Sequence, residues 1–170
     1  MSCPSPGGTP PEIRFRARAS LARGGTPPPG LEGAGLTCIA RVRGKSLVLW
    51  GPSRTGKTTW ARSLGSHAYF GGLFSLDEPI ADAEYAIFDD INGGIQFVPS
   101  YKWWLGYQYQ FYATDKYKGK KLITWGRPSI WCSNDDPRED PKADYDWLNK
   151  NCIFVYVPED KPLTLFPTCD

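Results

Sequence analysis

Long apolar runs are missing from this 170-residue chain: nothing approaches the roughly 18 consecutive apolar positions of a membrane-spanning helix. The N-terminal stretch also lacks the apolar centre of a secretory signal. The expectation is a soluble, intracellular protein with no membrane partner. Histidine is nearly absent, His67 standing alone, and the five cysteines (Cys3, Cys38, Cys132, Cys152, Cys169) are scattered with no Cys-x-x-Cys pair. Neither a zinc site nor a disulfide framework is suggested by such spacing. Cys132 and Cys152 lie inside apolar runs and read as small core side chains of a reducing compartment. An excess of one charge is lacking too, since 20 Lys and Arg face 18 Asp and Glu for a net charge of +2. Totals therefore do not identify a nucleic-acid partner, and any basic surface has to be local.

What is present begins with aromatics: seven Trp, nine Tyr and eight Phe, which serve as core filling or as platforms on which bases stack. Residues 1–44 are rich in Pro, Gly and Arg, with neither the two-residue nor the 3.6-residue period. Such a segment buries too little apolar surface to offset its ordering entropy, so it is expected to be a disordered leader. Composition changes at Lys45. Residues 45–157 read as one α/β domain, with residues 158–170 as a short tail. Short, nearly continuous apolar runs at 46–50, 85–88, 129–132 and 152–157 suit strands covered on both faces. Helix-compatible stretches at 57–64, 101–106 and 145–150 lie between them, and the alternation predicts a largely parallel central sheet.

The chemistry starts at the end of the first run. Gly51, Pro52, Ser53, Arg54, Thr55, Gly56, Lys57 and Thr58 fit G-x-x-x-x-G-K-[ST] without mismatch, between strand and helix, where a P-loop belongs. Its glycines let backbone N–H groups turn inward around phosphate oxygens, and the following helix, Thr59 included, adds its positive end. Lys57 is expected on the β and γ phosphates of ATP and the Thr58 hydroxyl on Mg²⁺. The run at 85–88 delivers Asp89 and Asp90 at its carboxyl end, which has Walker B form. In open α/β sheets ligands gather beyond that edge, so both acids arrive beside the phosphates. Asp89 is expected to hold Mg²⁺ through water, and Asp90, pointing the other way, to polarise the attacking water. A further strand ends at Asn134, whose amide is expected to sense the γ phosphate.

Between these motifs, residues 110–113 and 122–125 flank a basic tip holding Lys116, Lys118, Lys120 and Lys121 around Tyr117, a pattern suited to phosphate contact and base stacking. The order Walker A, Walker B, basic hairpin and asparagine resembles the superfamily-3 helicases, which are P-loop NTPases of AAA+-like fold. More narrowly, residues 68–74, 111–120 and 126–137 resemble the replication-associated proteins of genomoviruses and geminiviruses, over about residues 44–158. The resemblance implies an ATP-hydrolysing motor of viral rolling-circle replication in the host nucleus. It implies basic hairpins tracking single-stranded DNA through a homo-oligomeric ring, a hexamer among the options. It also implies an arginine reaching a neighbour's γ phosphate, for which Arg138 is the first candidate and Arg127 the second. The family's nuclease domain, with paired metal-binding histidines, has no counterpart before residue 44, so no origin-nicking activity is expected. Two other readings stay open at this point: a truncated fragment that binds nucleotide or co-assembles with the full-length protein, and a small P-loop kinase.

Overall fold

The computed structural model describes residues 44–115 and 118–163. The expected leader (apart from Gly44), Lys116 and Tyr117 at the hairpin tip, and the last seven residues of the expected tail lie outside the described residues.

Five strands form one wholly parallel sheet: β1 (Ser46–Trp50), β2 (His67–Gly71), β3 (Tyr85–Asp89), β6 (Ser129–Ser133) and β7 (Cys152–Tyr156), in the order β2-β3-β6-β1-β7. A separate antiparallel hairpin joins β4 (Gln110–Thr114) to β5 (Lys120–Thr124). The helices are α1 (Lys57–Arg62), α2 (Tyr101–Leu105) and α3 (Tyr145–Asn151), the last capped by Asp144, whose carboxylate accepts from Trp147 N at 3.0 Å. The α/β class with a mostly parallel sheet, expected from the alternation of apolar runs, is what the chain adopts.

Strand periodicity splits the apolar runs between two layers. Leu47, Leu49, Tyr85, Ile87, Ile130 and Cys132 pack on one face with Ala61 and Trp60 of α1. Val48, Ala86, Phe88 and Trp131 turn to the other face, beneath Trp104 and Leu105 of α2, Phe111 and Ile123 of the hairpin, and Leu148 of α3. Phe70, Phe88, Trp104, Phe111 and Trp125 form a continuous aromatic cluster there, with centroid separations of 4.9–5.7 Å. The described tryptophans thus divide unevenly, mostly into core filling, with Trp103 left exposed. Cys132 and Cys152 are buried free thiols, and burial pushes Cys152 up to about 12, so both behave as inert core groups. Among the described residues, no helix is long and apolar enough to cross a membrane.

Most elements begin or end within a residue or two of the sequence expectation, and one strand was not expected. The P-loop helix stops at Arg62, because Ser63 N turns back onto the Thr59 and Trp60 carbonyls and Gly65 follows at φ 156°. Strand β2 was not anticipated at all. Its five residues end in a glycine and carry only two fully buried side chains, Ala68 and Phe70, too weak a pattern to stand out alone.

Parallel registration fixes where the chemistry sits. Trp50 pairs with Ser133, and Asp89 with Cys132, so the carboxyl ends of β1, β6 and β3 finish side by side. Gly51, Asn134 and Asp90 are the residues that emerge from that edge.

Candidate active site

The loop between β1 and α1 is shaped by positions where only glycine fits. Gly51 has φ 138° and Gly56 φ 80°, and a Cβ at either would collide with a backbone carbonyl oxygen, that of Val157 and that of Leu163 respectively. Arg54 also lies in the left-handed region, at φ 63°. The loop is tied from outside on two sides. Gly51 N donates to the carbonyls of Ser133 and Asn134 at 3.2 Å, and Leu163 N donates to Thr55 O at 2.8 Å.

Inside this loop lies the ammonium of Lys57, 7% exposed, donating to Gly51 O and Pro52 O at 2.7 Å and to Thr55 Oγ1 at 3.2 Å. Thr55 in turn donates to Pro52 O at 2.9 Å. Burial lowers the Lys57 pKa, and the negative charges of Asp90 and Asp89 oppose that shift. The amine is thus partly desolvated and held by three oxygen acceptors of its own loop. Ser53, Arg54 and Thr59 are exposed, Pro52 and Thr58 half-buried, so that side of the loop faces solvent.

Thr58 reaches across to β3, its hydroxyl donating to Asp89 Oδ1 at 2.9 Å over a separation of 31 residues. The other oxygen of Asp89, Oδ2, accepts from Tyr69 OH at 2.6 Å. Tyr69 is pushed up to about 12 by burial first and by its bond to Asp89 second, so the phenol remains a donor at any physiological pH. A hydroxyl beside a carboxylate is a hard-oxygen donor pair of the kind Mg²⁺ takes alongside phosphate and water, so these residues fit the ion. No group of three or more His, Cys, Asp or Glu side chains suited to a metal occurs among the described residues, so an ion here would draw its remaining ligands from phosphate and water.

Asp90 follows at φ 43°, its N–H donating to Cys132 O at 3.1 Å. It lines a cavity of about 630 Å³ together with Asn134, Asn92 and Trp131. Partial burial, then the neighbouring Asp89 charge, raises the Asp90 carboxyl above the usual range, with Lys57 pulling the other way. Lys57, Thr58, Asp89, Asp90 and Asn134, which are distant in sequence, thus meet at one edge of the sheet.

Other anticipated residues are engaged elsewhere. Arg138 is bonded within the described chain. Its Nε donates to both oxygens of Asp136 at 3.0 Å, its Nη1 to Asn149 Oδ1 at 3.0 Å, and its guanidinium lies 4.1 Å from the Phe154 ring centroid. Arg127 donates to the carbonyls of Ile80, Ala81 and Ala83, bracing the loop before β3. On the hairpin, Lys118 forms an ion pair with Asp77 and Lys121 donates to Leu76 O at 2.9 Å, while Lys118, Lys120 and Lys121 are all exposed. Lys116 lies outside the described residues. Sequence reasoning assigned no role to Tyr69, Asp77 or Leu163. Nothing local in the sequence marks any of the three.

No protein-family model matches the sequence. The chain is 42% identical over 125 residues to the replication-associated protein of Tobacco yellow dwarf virus (strain Australia), a match taking in 71% of this chain and 36% of that protein. It is 42% identical over 121 residues to the same-named protein of Bean yellow dwarf virus (68% and 35% of the two chains). Against that of Miscanthus streak virus (isolate 91) it is 35% identical over 128 residues (74% and 36%). The chain spans about a third of the length of these curated relatives. A crystal structure of JCV helicase with a small molecule bound overlays at a TM-score of 0.46 with 15% identity, covering 68% of this chain and 36% of that one.

Proposed function

We propose, from the premise that this chain is a homologue of the geminiviral replication-associated proteins, that it is the ATP-driven helicase module of a rolling-circle replication initiator. In this reading it hydrolyses ATP with Mg²⁺, contacts single-stranded DNA through its basic hairpin, and works in the host nucleus as a homo-oligomeric ring.

The observation that carries the reading is the bond from Thr58 to Asp89, which closes the P-loop helix onto the end of β3. In a nucleotide complex Lys57 would exchange its carbonyl partners for phosphate oxygens, since its ammonium already lies within the loop. Thr58 and Asp89 would hold the Mg²⁺, which when bound neutralises charge between the β and γ phosphates. Asp90, with its raised carboxyl facing the cavity, would accept a proton from the attacking water, and Asn134 on the same cavity wall would orient that water. Gly51 N, bonded to the Asn134 carbonyl, keeps the sensor and the P-loop in register.

Hydrolysis measured with and without single-stranded DNA tests the proposal, beside size-exclusion chromatography with and without ATP. The expected result is DNA-stimulated turnover by an assembled ring, lost by about 10²-fold or more in Lys57→Ala and in Asp89→Ala. Hydrolysis indifferent to DNA, or wild-type turnover by the Lys57 variant, would remove the motor reading.

A further inference from the structure

Both oxygens of Asp89 are occupied, and only one partner belongs to the P-loop. The second is Tyr69, whose hydroxyl donates to Oδ2 at 2.6 Å while Thr58 donates to Oδ1 at 2.9 Å. Strand geometry explains how a residue on the edge strand reaches so far. Tyr69 is paired with Ile87 and Gly71 with Asp89, so Tyr69 and Asp89 lie on the same face of neighbouring strands, two residues apart along the chain direction. The ring must pass over position 71 to get there. A Cβ at Gly71 would lie 2.7 Å from Tyr69 Cε1 and 3.1 Å from its hydroxyl, so the absence of a side chain at that position makes the path.

The ring has a second partner and its backbone a third. The Arg62 guanidinium lies 4.5 Å from its centroid, and the backbone N–H of Tyr69 donates to Glu78 Oε1 at 2.9 Å. A carboxylate with one oxygen unbonded turns about its terminal torsion, and some of that freedom is lost whenever a cation is bound. A donor on the far oxygen sets the carboxylate plane beforehand, leaving Oδ1 aimed at Thr58.

We propose that Tyr69 is a positioning residue that holds the Asp89 carboxylate in the orientation required for Mg²⁺-dependent nucleotide binding, along a path kept open by Gly71. This rests on the reading of Thr58 and Asp89 as the magnesium pair. Tyr69 touches neither phosphate nor metal and acts through Asp89.

The test is equilibrium binding of a fluorescent ATP analogue to the full chain, titrated with Mg²⁺ from a chelated start. Tyr69→Phe keeps the ring over Arg62 and removes only the hydroxyl. It should raise the Mg²⁺ concentration at half-effect by about ten-fold, while affinity without metal stays within about two-fold. Gly71→Ala, which displaces the ring but retains the tyrosine, should shift the titration the same way. In an Asp89→Asn background Tyr69→Phe should add nothing, since the residue it serves is gone. A Tyr69→Phe titration superimposable on the native one, or a shift that persists at full size in the Asp89→Asn background, overturns the proposal and leaves the ATPase reading standing. A native chain with no Mg²⁺-dependent binding removes both.

Discussion

At φ 43°, Asp90 occupies the left-handed region that aspartate and asparagine enter at less cost than most residues, and its carboxyl is held above the usual range by partial burial and by Asp89. The sign of the resulting linkage is unusual for an acid. A folded-state pKa raised above the unfolded value of about 3.9 contributes stability that is fully present below that value and is lost as pH rises through the folded one. At neutral pH the ionised side chain therefore weighs against the fold. Asp90→Asn should leave the melting temperature at pH 7 equal to or above that of the native chain, with the difference closing toward acid. Turnover in the same variant should fall by about 10²- to 10⁴-fold, the usual worth of a general base. Native turnover should itself decline as pH drops through the raised pKa of Asp90. A variant that melts lower at pH 7, or that hydrolyses ATP normally, would show Asp90 to be structural. Lys57 shares that balance, since burial, the first cause of its lowered pKa, likewise disfavours its charged form, and phosphate is the partner that would offset that desolvation.

At the scale of elements, the β4–β5 hairpin rests on the loop between β2 and β3, and its lysines are in part already paired. Lys118 meets Asp77 and Lys121 meets the Leu76 carbonyl, while Leu76 N donates to Asp115 Oδ2 at 3.1 Å. The Lys118–Asp77 pair has side chains 51% and 69% exposed, so it contributes at most about 1 kcal/mol to the fold. In a DNA complex it would compete with phosphate for the same ammonium. Asp77→Asn is expected to leave the melting temperature unchanged and to tighten single-stranded DNA binding severalfold at low salt. Replacing Lys118 and Lys120 by Ala should weaken binding and flatten the slope of log K against log salt by about 0.7 for every phosphate that is no longer neutralised. An unchanged slope would mean that DNA runs elsewhere.

The hairpin also marks the limit of what the sequence discloses. Its two strands and its basic character were legible from local composition, as were β1, β3, β6 and β7, because apolar runs are visible residue by residue, although β7, at the sheet edge, leaves Ile153 and Tyr156 exposed rather than covered on both faces. Its docking was not, because Asp77 and Lys118 are 41 residues apart and neither is unusual alone. The same division runs through the site. The P-loop and the paired acids are local patterns, and they meet in space because parallel registration leaves three strand ends level. Tyr69 needed the β2–β3 register, and Arg138 needed the buried carboxylate of Asp136, before either could be placed.

On the scale of the whole molecule, the P-loop is braced by chain that arrives last. The segment after β7 turns back so that Leu163 joins the α1-side core, bonds Thr55 O, and covers Gly56 closely enough to forbid a side chain there. A domain boundary drawn at residue 157, as composition suggests, would remove that brace while leaving every recognised motif intact. The brace consists of one half-buried leucine and one backbone hydrogen bond, worth about 1–2 kcal/mol together, or a few degrees of melting temperature in a domain of this size. The effect on nucleotide binding should be larger in proportion, since Thr55 contacts Lys57 directly. A chain ending at Pro158 is therefore expected to melt a few degrees lower than one ending at Leu163 and to bind the fluorescent ATP analogue several-fold more weakly, with or without Mg²⁺. Leu163→Ala in the full chain should reproduce part of the melting change but less of the binding change, because its backbone N–H still reaches Thr55. Equal nucleotide affinity at both lengths would assign residues 158–163 to the core alone and leave the P-loop self-supporting.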